Sequence, residues 1–229
     1  MRLSYRVTTA AITLGLCLTT MADSADAQVI FPPVFPPDPV TIFGMNANGS
    51  GCPVGSLTAT MAPDGSVLSI TYGPEMAASA GPGTVPTDWR RNCLLTVGIH
   101  VPQGWTFALL ASEHRGYYGL EPNVVGTQTA DYYVSGQPNS FSSKSQYVGD
   151  PATGGSYDNW DRVDYVPAGT GAQPVWAPCG KDSIAHINES VSVNNFLAKQ
   201  SNPSAGGLMS QDATDISVLV YFRYQWKKC

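Results

Sequence analysis

The chain has 229 residues, 13% of them charged, and a formal net charge of −5. Phosphate binding needs clustered Lys and Arg, and the longest basic runs here are the pairs Arg90-Arg91 and Lys227-Lys228, which argues against nucleic acid as a partner. The length suits one domain with a substantial core, and no repeat at a fixed period is visible.

Residues 1–27 read as a secretory signal peptide. Arg2 and Arg6 precede an apolar run through Leu18, and Ala25-Asp26-Ala27 places small residues where a signal peptidase cuts. A membrane-spanning helix needs roughly 20 apolar residues, and Thr19, Thr20, Asp23 and Asp26 interrupt this run. The leader holds two arginines and two aspartates, so its removal leaves the net charge of −5 unchanged. Residues 28–44 form a Pro-rich arm, with VIFPPVFPPDPV from Val29 to Val40 favouring an extended, polyproline-like spacer. Residues 45–229 are expected to fold as one secreted β-sandwich domain.

Of the 5 cysteines, Cys17 lies in the leader, which leaves Cys52, Cys93, Cys179 and Cys229. An even count in an exported chain points to disulfides, and sequence alone permits three pairings. Cys52 with Cys93 and Cys179 with Cys229 is the expected one, since it closes two separate loops and ties the end of the last strand to the turn at Pro178-Cys179-Gly180.

Leu57, Ala59 and Met61 alternate with threonines, Pro63-Asp64-Gly65 supplies turn chemistry, and Leu68, Ile70 and Tyr72 alternate on the return, which predicts a β-hairpin. The following GPEMAASAGPGTVPTDWRRN reads as a surface loop, because its prolines would interrupt any helix. From Arg91 to Leu120 the alternation of Leu95, Val97, Ile99 and Val101, a turn at Pro102-Gln103-Gly104, and then Trp105, Phe107, Leu109 and Ala111 predicts a long central hairpin. Two more strands are expected over 127–136 and 140–148, then a loop over 150–173. In SIAHINESVSVNN, Ala185, Ile187, Val191 and Val193 share a face that Glu189 spoils, so this strand is expected at a sheet edge or against a partner. The last strand is the most regular. Ile216, Val218, Val220, Phe222, Tyr224 and Trp226 fall on one face, as six large core side chains. No stretch carries a helical period, so the expected fold is all-β: about nine or ten strands in an antiparallel β-sandwich of Greek-key or jelly-roll type.

The ordered set GCPVGS at Gly51, PDGS with LSITY, RRNC, VPQGW, HRGYYGL, YYVSG, WAPCG and the closing YQWKKC resembles a family of small secreted proteins of bacteria and fungi known only as domain of unknown function 4360. The resemblance runs from about Gly51 to Cys229. It implies a self-contained domain whose four cysteines are structural, and it brings no catalytic residues with it.

Chemistry has to be sought in the residues themselves. Glu113-His114-Arg115-Gly116-Tyr117-Tyr118 holds acid, base and cation together, but neighbours on a strand face opposite ways, so an Arg115 ion pair beside aromatic packing is the expected arrangement. Asp158, Asp161 and Asp164 lack the alternation, glycine and final glutamate of a calcium loop. His100, His114 and His186 stand apart without zinc-site spacing, so neither a metal nor another cofactor is expected. No G-x-S-x-G occurs. Asn48 and Asn188 open glycosylation sequons. Two function classes follow: a non-enzymatic extracellular module that binds a glycan or protein surface through exposed aromatics (Tyr117, Tyr118 and Trp160 above all, with Trp89 and Trp176), or an extracellular hydrolase using the carboxylates of Asp158 and Asp161.

Overall fold

The computed structural model describes residues 36, 38, 40–63, 66–165, 174–211 and 220–229, and Pro33–Cys229 forms one unit. Alternation of apolar and polar side chains dictates what is seen. Twelve strands among the described residues build two antiparallel sheets whose apolar faces meet.

The first sheet is ordered β1 (Ile42–Asn48), β5 (Arg90–Ile99), β10 (Ser183–Asn194), β7 (Val125–Val134), β8 (Ser140–Val148). The second follows β2 (Leu57–Met61), β3 (Val67–Tyr72), β12 (Val220–Lys228), β6 (Trp105–Leu120), β11 (Gly207–Gln211), β4 (Ala77–Ala80), with β9 (Ser156–Tyr165) also on β6. Because β9 shares β6 residues with both β11 and β12, those two follow one another along the opposite edge of β6. The main core joins Leu95, Val97 and Ile187 of the first sheet to Leu68, Ile70, Phe107 and Trp226 of the second.

Both disulfides form as expected, Cys52–Cys93 buried under β5 and Cys179–Cys229 at the chain's end. The predicted hairpin β2/β3 forms, and the two strands expected over 127–136 and 140–148 are present as β7 and β8, paired with each other. The central hairpin is not. β5 has β1 and β10 on its two edges, and β6 has β9 on one and β12 with β11 on the other, so no edge is left for them to pair. The turn at Pro102-Gln103-Gly104 instead carries the chain from one sheet to the other, with Val101 and Pro102 buried in the crossing.

Three further expectations are corrected. The segment after Tyr72 holds β4, where Ala78 packs fully buried against the smaller core cluster. The stretch 150–173 contains β9, registered along Ala111–Leu120 without a break. Glu189 sits on a central strand with β5 and β7 on its flanks, not at an edge. Of the last strand, Trp226 is buried; Ile216 and Val218, and the side chains of Val220, Phe222 and Tyr224, lie outside the described residues.

Candidate functional site

A change of register in β6 decides what its residues face. Arg223 pairs with Ala111 and Tyr224 with Leu109, so Leu110 is an extra residue, a β-bulge. Before it, Trp105, Phe107 and Leu109 fill the core; after it, the inward positions are Ser112 and His114, both fully buried. Glu113 and Arg115 face out.

The inward-turned His114 meets Glu189. His114 Nδ1 lies 3.0 Å from Glu189 Oε1, and Nε2 lies 2.8 Å from the Tyr132 hydroxyl and 3.0 Å from Ser112 Oγ. Glu189 Oε2 also accepts hydrogen bonds from Gln211 Nε2, at 2.8 Å, and from the Tyr72 hydroxyl. Five strands from both sheets contribute. Ser112, His114 and Glu189 thus reproduce the connectivity of a nucleophile, base and orienting acid, but each has 0% exposure, so no substrate reaches Ser112. The network is a structural polar layer between the two apolar clusters, in which the hydrogen bonds and the His114–Glu189 contact offset the cost of burying polar groups, although Gln211 Oε1 has no hydrogen-bond partner. Sequence reasoning missed it because its residues stand far apart in the chain; the one signal was Glu189 breaking an apolar face.

The outer face of the second sheet is different. Register aligns Tyr157, Gly119, Leu208 and Ser79 across β9, β6, β11 and β4, and beside them Asn159, Tyr117 and Ser210. Gly119 has no side chain, and the Tyr157 ring occupies that space: a Cβ there would stand 3.1 Å from Tyr157 Cδ1 and 3.4 Å from the Tyr117 hydroxyl. Tyr157 is 62% exposed, Asn159 and Leu208 are exposed, and Tyr117 is half-buried. The next row is charged. Arg115 Nε meets Asp161 Oδ2 at 2.9 Å, and its Nη2 pairs with Glu113, the ion pair the sequence led us to expect.

The other singled-out residues separate. Trp160 is not exposed: it is 3% accessible, its ring lies over Gly116, and its Nε1 donates to the Ser210 carbonyl at 3.1 Å. Strand alternation turns it inward with Asp164, which the loop reading of this stretch could not anticipate. Tyr118 also faces in and stacks on Tyr147 with ring centroids 4.8 Å apart. Trp89 is exposed, and Trp176 lies under the Lys227 ammonium at 3.7 Å. Asp158 and Asp161 project to opposite faces of β9, so they form no two-carboxylate site. Asn48 is exposed at the end of β1, whereas Asn188 is half-buried on a central strand. Among the described residues no group of three or more His, Cys, Asp or Glu could hold a metal ion, and no helix is long and apolar enough to cross a membrane.

Over 193 residues, covering 84% of this chain and 73% of the other, the sequence is 29% identical to an "Uncharacterized secreted protein" of Arthroderma benhamiae. Among solved structures it is similar to TmCBM61 in complex with beta-1,4-galactotriose, at TM-score 0.28 and 9% identity over 81% of this chain and 88% of that one. It is also similar to the enzymatically active domain of bacteriophage CBA120 tailspike protein 4, at TM-score 0.24 and 15% identity, over 80% of this chain and 19% of that one. At such TM-scores neither likeness bears on function. The family match is extensive: residues 38–229 match the family described as "Domain of unknown function (DUF4360)", and the chain belongs to that family.

Proposed function

We propose that this chain is a secreted, non-catalytic module that holds a glycan against the outer face of β9, β6 and β11. One observation carries the reading: the exposed Tyr157 ring is laid over Gly119 beside the Tyr117 hydroxyl. An exposed aromatic ring offers its face to the C–H side of a sugar ring, and Asn159, Asp161 and Arg115 beside it offer donors and acceptors to sugar hydroxyls. The face asks for no substrate cleft, and its groups are held by strand register before any ligand arrives. A leader-like N-terminus and a relative whose name includes "secreted" support an extracellular setting for this face.

The test is retention of the purified chain on a panel of insoluble polysaccharides and cell-wall preparations. Tyr157→Ala and Tyr117→Ala are each expected to weaken retention on the best ligand about tenfold, close to 1.4 kcal/mol, with circular dichroism unchanged. Failure to bind any member of the panel overturns the proposal. So does turnover of a glycan, ester or peptide that disappears in Asp158→Asn or Asp161→Asn.

A further inference from the structure

Charge decides which glycans the Tyr157 face can take, given that the face is a glycan site as proposed above. An arginine with an open guanidinium is the side chain best suited to hold a sugar acid, because its planar fork meets a carboxylate, sulfate or phosphate with two parallel hydrogen bonds. Among the described residues Arg115 is the cation on this face, one row beyond Asn159 and Tyr117, and its guanidinium is already engaged from two sides. Asp161, its register partner on β9, holds Nε at 2.9 Å, and Glu113, two residues earlier on β6, holds Nη2. The next basic residue in register, Arg223 of β12, stands opposite Ala111, further from Tyr157 than Glu113 is.

The surrounding strands add negative charge. β4, β6, β9 and β11 together carry Glu113, Asp158, Asp161 and Asp164 against Arg115 and Arg162, so acids outnumber arginines by two. Arg162 turns to the other face of β9, where its Nε holds Asp164 Oδ1 at 2.7 Å. A carboxylate brought up to Arg115 therefore meets two carboxylates for one guanidinium, and it must displace one of them to bind. The side chains of Arg115 and Asp161 are 40% and 56% exposed, so water screens their pairing and it adds little to stability. Its consequence lies in what the face admits.

An uncharged sugar meets no such barrier. Its hydroxyls donate to Asp161 and accept from the Asn159 amide and the Tyr117 hydroxyl, while its C–H side covers the Tyr157 ring. Tyr157 and Asp161 stand four residues apart on one face of β9, roughly 13 Å by strand rise, so an occupant that touches both is longer than one sugar ring. We propose that the Tyr157 face is selective for uncharged glycan chains, with Glu113 and Asp161 as the residues that exclude acidic glycans by keeping Arg115 occupied.

Affinity electrophoresis of the purified chain through gels holding a soluble polysaccharide tests it, with mixed-linkage β-glucan, galactomannan and glucomannan as uncharged polymers and polygalacturonate and alginate as acidic ones. The native chain is expected to be retarded by at least one uncharged polymer, equally at low and high salt, and by neither acidic one. Glu113→Gln combined with Asp161→Asn is expected to gain about tenfold or more in affinity for an acidic polymer, and to lose that gain at high salt or when Arg115→Gln is added. Asp161→Asn alone, at the more exposed position, is expected to show part of the gain, which keeps the prediction readable if the double variant fails to fold. Retardation of the native chain by an acidic polymer as strongly as by an uncharged one overturns the selectivity and leaves glycan binding in place. Absence of any gain in folded Asp161→Asn and in the folded double variant does the same. A native chain retarded by none of these polymers also overturns the selectivity, and if it binds nothing on the insoluble panel either, the glycan reading falls with it.

Discussion

Glu189 is an acid in the middle of an otherwise apolar strand face, and its neighbours explain why it is tolerated. Tyr72, His114 and Gln211 converge on its carboxylate from the facing sheet. A buried carboxylate is costly unless it is met on several sides, and removing one member of such a set leaves the others unpaired. Glu189→Ala is therefore expected to lower the unfolding free energy by about 3–5 kcal/mol, read as a shift of the urea midpoint. Tyr72→Phe removes a single donor and is expected to cost less, about 1–3 kcal/mol. If Glu189→Ala is instead neutral, the layer does not hold the sheets together. The misfit of Glu189 was legible in the sequence, but its solution was not, because its partners come from remote strands and His114 faces it only through the bulge at Leu110.

At the scale of elements, β6 carries the most consequence. Its 16 residues serve the main core before the bulge and the polar layer after it. At Gly116 three elements come close together: a Cβ there would stand 2.0 Å from the Ser210 carbonyl oxygen of β11 and 2.7 Å from the Trp160 ring of β9. Backbone cannot yield as a flexible side chain can, so Gly116→Ala is expected to separate β11 from β6 and displace Trp160. The readout is loss of the near-ultraviolet circular dichroism of the buried indole and a sharp fall in the yield of folded protein. A well-folded Gly116→Ala protein with Trp160 still buried would contradict this packing. The hairpin β2/β3 and the strands β7 and β8 were legible because turn residues and alternation are local. The crossing from β5 to β6 was not, since a turn between two amphipathic strands looks the same whether they pair in one sheet or face each other from two.

For the whole molecule, the two disulfides constrain loops with sequence separations of 41 and 50. In the chain-entropy model each adds about 4 kcal/mol by restricting the unfolded chain. Non-reducing peptide mapping is expected to recover Cys52 with Cys93 and Cys179 with Cys229. Replacing either pair with alanine is expected to cost roughly 2–5 kcal/mol, measured by thermal unfolding. A Cys52–Cys179 or Cys52–Cys229 peptide would refute the arrangement.

By itself the sequence determined the all-β class, the commitment of four cysteines to disulfides, the β2/β3 hairpin and the family, because period-two alternation, turn chemistry and cysteine number are properties of the chain read in order, and it favoured the pairing that the structure then showed. It also pointed to Tyr117 and to the Arg115 ion pair, which stand on one strand with their neighbours. Tertiary structure decided the rest. It turned Trp160 inward, set Asp158 and Asp161 on opposite faces of β9, and gathered His114 with Glu189 and Tyr157 with Tyr117. Which strand lies beside which, and where one extra residue reverses a face, depends on long-range pairing that fills two sheets at once, and no local pattern records it.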